Sequence, residues 1–263
     1  MDTLEQKAKK TTADKNTPVK ASEKVSAANA APVKEKRTMT QEAVLHQWEI
    51  SPYCSKIRKV LEAKNIPYSV VNYNGLRSLK AAKLSPVGKL PVLEIDGRRI
   101  QDSRKIAAYI EQNYTDLPLT PTDKSARADM EIYQDWADES LYWYEVFFRV
   151  KYKDSWAQAS AMLSEGRSPL EATSFRIMLG FLFKLNLYCQ GIGRYEKFEV
   201  EDRFKKLMDQ LNAKLENRTW LVGESKTLAD IAVAAQLQEI LRTSHMAGYM
   251  RSLSNLNRWI QQV

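Results

Sequence analysis

Few side chains in this sequence could do covalent or metal chemistry. There are two histidines, His46 and His245, and two cysteines, Cys54 and Cys189. Structural zinc sites usually take four Cys/His ligands. No close cluster of those residues occurs along the chain, so no metal is expected. The same count excludes a disulfide framework. The most promising stretch is Ser51-Pro52-Tyr53-Cys54. Serine followed by proline is a helix start, with serine as N-cap and proline in the first helical position. A hydroxyl at a helix N-terminus, reinforced by the helix dipole, can stabilise a bound thiolate. Only the thiolate form of sulfur is a good nucleophile. A plain N-cap accounts for the same residue pair. Cys54, in the first turn, is a rival reactive group, yet it shares an apolar stripe with Ile57 and Leu61 that points to burial. Serine at position 51 also denies it a dithiol partner.

Asp102-Ser103 is a second helix start, with its acidic residue placed favourably for the dipole. Thr227-Leu228-Ala229-Asp230 is a capping box, which marks fold rather than chemistry. Gly191-Ile192-Gly193-Arg194 lacks a third glycine and a preceding strand, so it reads as an inter-helix turn and no nucleotide site is expected. His46 falls in a strand and His245 in a turn, neither beside a nucleophile; both are assigned to structure.

These residues must be positioned by elements that the patterning supplies. Val44–Ile50 alternates and predicts a strand. The helix opened by Pro52 ends at Asn65-Ile66-Pro67. Tyr68–Tyr73 predicts a second strand and Leu76–Leu84 a short helix. Leu90–Ile95 and Arg98–Ile100 form strands joined by the hairpin signal Asp96-Gly97. A helix runs from Asp102-Ser103 to about Gln112. The order βαβαββα is a thioredoxin-like α/β domain, here 41–114. Residues 115–123 read as a linker with two prolines. From 124 to 263 all patterns are helical, predicting a bundle of five or six helices. Tyr133, Trp136, Trp143 and Phe147 share one stripe, which Leu141, Tyr144 and Phe148 broaden. The last two helices expected are Thr227–Arg242 and Met246–Gln262.

A thioredoxin-like half followed by an all-helical half resembles the cytosolic glutathione transferase fold. Four motifs carry the likeness in order. Ser51-Pro52-Tyr53-Cys54 is similar to the active-site turn of Ser- and Cys-type transferases. Gly88-Lys89-Leu90-Pro91-Val92-Leu93 is similar to the family's cis-proline segment. Asp102-Ser103 is similar to its acidic-Ser pair, and Trp220–Gly223 with Thr227–Ile231 to its buried helix start. The resemblance implies a transferase using glutathione as co-substrate against an electrophilic, largely apolar small molecule. It implies Ser51 as the catalytic hydroxyl. It implies glutathione bound by Lys89 (glycine carboxylate), the Leu90 backbone beside Pro91, Asp102 (α-ammonium) and Ser103 (γ-glutamyl carboxylate). Tyr53, Tyr144 and Phe148 are candidates for the electrophile's pocket. A cytoplasmic, detoxifying homodimer is further implied. A narrower resemblance, in Asp135–Glu139 and Gln190–Arg194, is to the metaxin and failed-axon-connections branch. Its implied alternative is a protein-interaction module with weak catalysis. A second alternative is a glutathione-dependent thiol reductase using Cys54.

Charge adds little to this. The chain of 263 residues carries a formal +8. Half of that excess lies in residues 1–39, which hold nine Lys+Arg and five Asp+Glu and no aromatic residue. Segment 1–40 is expected to be a disordered basic tail. It has no apolar core for a secretory signal and only one arginine, Arg37, against a mitochondrial presequence. The folded remainder is too mildly basic to suggest nucleic acid. No apolar run reaches membrane-spanning length.

Overall fold

The computed structural model describes residues 42–84 and 86–263, apart from the side chain of Ala82. The tail expected over 1–40 lies outside the described residues, as does Ser85.

The thioredoxin-like half is a four-stranded sheet in the order β2-β1-β3-β4. β1 (Ala43–Gln47) pairs parallel with β2 (Tyr68–Asn72) and antiparallel with β3 (Val92–Ile95), which pairs antiparallel with β4 (Arg98–Gln101). Leu45 lies opposite Leu93, and Leu93 opposite Ile100, so one face carries a continuous apolar row. α1 (Pro52–Ala63) and α2 (Ser103–Asn113) cover that face with Ile57, Leu61, Ile106 and Ile110, all fully buried. The β3–β4 turn has positive φ at both Asp96 (51°) and Gly97 (70°), the twist that a two-residue hairpin needs.

Two elements differ from the patterning. β1 stops at Gln47 rather than Ile50, because the Ser51 N–H turns back to the Trp48 carbonyl (3.1 Å) and starts α1. The Trp48 indole N–H donates to the Tyr73 carbonyl (2.8 Å), which holds that turn against the end of β2. Residues Gly75–Lys83 form a 3₁₀ helix, not an α-helix.

The second half contains eight α-helices rather than five or six. They are α3 (Lys124–Trp136), α4 (Tyr142–Lys151), α5 (Lys153–Leu163), α6 (Pro169–Gln190), α7 (Lys197–Lys214), α8 (Leu228–Thr243), α9 (Ala247–Ser252) and α10 (Ser254–Gln262). α4 and α5 separate at Tyr152, whose backbone is extended. The helix expected over Met246–Gln262 breaks at Leu253, where the Asn212 side chain accepts the N–H groups of Asn255 and Leu256 (both 3.0 Å). Gly191–Arg194 is the expected turn, a short 3₁₀ segment over Ile192–Arg194. α8 is buried on nearly every side and packs against α1 and α3. No helix among the described residues is long and apolar enough to cross a membrane.

Between α3 and α4 the chain makes one π turn, Ala137–Leu141. A π turn inserts roughly one residue into the helical repeat, so side chains beyond it rotate by about 100° relative to an unbroken helix. That rotation decides what α4 shows to the first half of the molecule.

Candidate functional site

A cleft of 1020 Å³ lies between the sheet edge and the helices. Ser51, Lys89, Leu90, Pro91, Asp102 and Ser103 all line it, although they come from three separate stretches of sequence. Sheet topology brings them together. β1 leads into the α1 N-terminus, β3 begins just after Pro91, and β4 runs into α2; the three ends meet at one edge.

Ser51 is the N-cap of α1 by backbone (φ −80°, ψ 125°), and Pro52 fills the first helical position. Its side chain makes no capping hydrogen bond. The hydroxyl stands at the positive end of the α1 dipole, where it also reaches the Cys54 sulfur. The Leu90–Pro91 peptide bond is cis. Ser103 is buried at the first position of α2, whereas Lys89 and Asp102 are exposed. Asp102 has positive φ (79°) and caps α2 through Oδ1, which accepts the N–H groups of Arg104 (2.9 Å) and Lys105 (3.2 Å).

Cys54 is fully buried. Burial pushes its thiol up to about 11, against partial relief from the Ser51 side chain and the Trp48 backbone. It stays a protonated thiol at neutral pH, which does not suit the reductase alternative. Tyr53 lines the cleft. Its hydroxyl donates to the Asp138 carbonyl (2.6 Å), and burial raises its pKa, so it remains a phenol.

Tyr144 and Phe148 are not on the cleft. Phe148 is buried against Phe204 (5.0 Å between ring centroids), and Tyr144 faces Phe204 (5.6 Å) and a separate cavity of 290 Å³. Beyond the π turn, α4 presents Tyr142, Glu145, Val146, Arg149 and Val150 to the cleft instead.

The structure adds charged groups that the patterning placed on the surface or passed over. Lys56, a charged residue in α1, is 1% exposed. Its ammonium donates to Asp138 Oδ2 (3.0 Å), and Arg104 Nε donates to the same oxygen (3.1 Å). One carboxylate of the π turn thus ties α1 and α2 to the helical half. Burial lowers the Lys56 pKa, partly offset by Asp138. On α4, Glu145 is 1% exposed and forms an ion pair with Arg149. Arg149 also donates to Glu239 Oε2 (2.9 Å) and to Thr243 Oγ1 (2.9 Å). Burial, with some relief from Arg149 and a further rise from Glu239, pushes the Glu145 carboxyl up to about 7. A signal for these residues existed in the sequence: Glu145 and Arg149 stand four apart in an otherwise apolar run, Leu141–Val150.

With the site described, comparisons with known proteins become informative. The profile of the glutathione S-transferase N-terminal domain matches residues 45–118, and that of the C-terminal domain matches residues 173–263. The isoprene-epoxide–glutathione S-transferase of Rhodococcus sp. (strain AD45) is 24% identical over 228 residues, covering 82% of this chain and 92% of that protein. Failed axon connections of Drosophila melanogaster is 24% identical over 206 residues, 73% of this chain and 46% of that protein. Among solved structures, the beta-etherase LigF of Sphingobium sp. strain SYK-6 superimposes with a TM-score of 0.62 at 18% identity, covering 84% of this chain and 94% of that one. A glutathione S-transferase of Methylobacillus flagellatus, solved with GSH bound, gives 0.53 at 25% identity with the same coverage. The two domain profiles together match well over half of the sequence, in the order of the two halves described above, and the chain belongs to the glutathione transferase superfamily.

Proposed function

We propose that this protein conjugates the thiolate of glutathione to an electrophilic, largely apolar small molecule. One observation carries the reading: the Ser51 hydroxyl, unspent on capping, stands at the α1 N-terminus in the same cleft as Leu90, Pro91 and Ser103. In this reading the Leu90 backbone pairs with the extended tripeptide as an added strand would. Ser103 and the free N–H groups of α2 hold the γ-glutamyl carboxylate. Asp102, with Oδ2 outside its capping bonds, meets the α-ammonium. Lys89 pairs with the glycine carboxylate. Ser51 donates to the sulfur and favours its charged form. The isoprene-epoxide transferase, similar over most of the chain, supports an activated small molecule as the acceptor. The site comprises residues of 41–114, the acceptor's walls come from 124–263, and the protein works as a cytoplasmic homodimer in detoxification.

Immobilised glutathione should retain the protein, and Ser51→Ala should lose most conjugating activity while keeping its fold by circular dichroism. No retention at millimolar ligand overturns the reading. A second reading, a transferase-like interaction module, is favoured by the likeness to Failed axon connections across 73% of the chain. Capture of one stoichiometric protein partner, with no glutathione binding, would establish it instead.

A further inference from the structure

The long helix α6 is covered on one side only. Its inner residues Phe175 and Leu179 are buried and wall the cleft. The opposite side is apolar and open. Leu170, Ile177, Phe181 and Tyr188 are 79%, 67%, 67% and 59% exposed, and Leu185 beside them is 47% exposed. At about 150–250 Å² for a whole aromatic side chain and somewhat less for an aliphatic one, this patch presents roughly 600 Å². That is the upper end for the largest apolar patch on a monomer, about 300–600 Å². It supplies most of the roughly 800 Å² that each partner gives to a standard protein interface. An anionic lipid surface fits poorly, because α6 carries only Arg176 and Lys184 against Glu171. The chain's own first 40 residues fit poorly too, since they are rich in Lys, Ala and Thr and contain no aromatic residue.

We propose that the outer face of α6 is the contact between two copies of this chain, with the two α6 helices antiparallel about a two-fold axis at residue 179. This rests on the homodimer of the proposed function and names its face. Spacing along the helix carries it. Leu170, Ser174, Ile177, Phe181, Lys184 and Tyr188 are separated by four, three, four, three and four residues. That is the seam repeat of paired helices, and at about 100° per residue the six lie within an arc of about 80°. The seam is also symmetric about its middle. Leu170 and Tyr188 stand nine positions either side of 179, Ser174 and Lys184 five, and Ile177 and Phe181 two. A two-fold contact requires that if one residue touches a second, the second touches the first across the axis. Antiparallel pairing therefore sets apolar on apolar at the centre and the ends, with the Lys184 ammonium against the Ser174 hydroxyl in between. A parallel pair in register would set Lys184 on Lys184, a like-charge contact in the seam. The contact lies on the side of α6 away from Phe175 and Leu179, so it backs the cleft wall rather than filling the cleft.

The test is sedimentation equilibrium of the full-length protein. The unsubstituted chain should give about twice 30.2 kDa. Phe181→Glu and, separately, Ile177→Lys should each weaken self-association by about thirtyfold or more, as expected of a central interface residue. Both side chains are exposed in the single chain, so each variant should keep the circular dichroism and the glutathione retention of the parent. Mixing the two variants should restore a dimer, because the antiparallel register sets the new carboxylate of one copy opposite the new ammonium of the other. A dimer that survives both substitutions overturns the proposal and leaves the homodimer on another face. Weakening in each variant with no recovery on mixing overturns the antiparallel pairing. A monomeric parent removes the homodimer and its face together, while glutathione retention still decides the transferase reading. A monomer that co-sediments with phosphatidylserine vesicles, and ceases to in Phe181→Glu, gives this face to lipid instead. Loss of fold in one variant leaves the other to decide.

Discussion

Ser51 and Glu145 both line the cleft, and burial treats them differently. Ser51 is half-buried and its hydroxyl, which makes no capping bond, reaches the Cys54 sulfur, so its use costs nothing in lost capping. One hydrogen bond to a charged group is worth about 1.5–3 kcal/mol. Ser51→Ala should therefore raise the pKa of bound glutathione by about 1–2 units, read from the thiolate absorbance in an ultraviolet titration. Glu145 has a stability consequence as well. Its folded pKa of about 7 lies above its ordinary 4.5, so the native state binds the proton more tightly than the unfolded chain. That contribution is fully present below about 4.5 and is lost as pH rises through 7, amounting to about 3 kcal/mol. Urea midpoints should fall across this window, and Glu145→Gln should flatten the fall. The sequence reading found Ser51 and not Glu145 because a serine-proline pair is a local signal. A carboxyl's burial depends on which helix covers it.

At the scale of elements, α8 organises the helical half through its first turn. Asp230 is fully buried and accepts hydrogen bonds from the Leu221 N–H (2.8 Å), the Thr227 N–H and hydroxyl (both 2.9 Å), and the Trp259 indole N–H (2.9 Å). The capping box was legible because it spans four consecutive residues. Its reach to Leu221 and Trp259 was not, because α10 arrives from elsewhere in the chain. Asp230→Ala should thus cost more than a lost cap, about 3–5 kcal/mol, because several buried donors lose their acceptor together. Chemical denaturation measures this, with the expectation that glutathione affinity per folded molecule is kept. The π turn between α3 and α4 is the element that patterning misread. Counting by 3.6 keeps Tyr144 and Phe148 near the stripe of Tyr133 and Trp136. One wide turn moves Glu145 and Arg149 onto the cleft instead.

Across the whole molecule, the two halves are joined by Asp138, with Lys56 from α1 and Arg104 from α2 on one oxygen. The two ends of this pair should not be equivalent. Lys56→Met leaves Asp138 paired with Arg104, whereas Asp138→Asn leaves the Lys56 ammonium buried without its counter-charge. Breaking a buried pair so as to strand a charge costs about 3–5 kcal/mol. Asp138→Asn should be the more destabilising by thermal denaturation, and it should raise KM for glutathione by loosening both helices at the cleft. The proposed homodimer is a prediction at this scale too. Light scattering should give about twice the chain mass of 30.2 kDa.

The order of strands and helices in the first half, the Ser51 turn, the Asp102-Ser103 cap and the Asp230 box were all readable along the chain. Each depends on residues within a few positions of one another, where steric and capping preferences act directly. Which charged side chains are buried, and which face of α4 meets the cleft, were not readable. Lys56, Asp138, Glu145 and Arg149 acquire their character from neighbours tens of residues away. A carboxylate's solvation is a property of the packed neighbourhood rather than of the sequence window. The face of α4 follows a π turn that Tyr53 and Lys56 of α1 and Arg104 of α2 tie down through Asp138.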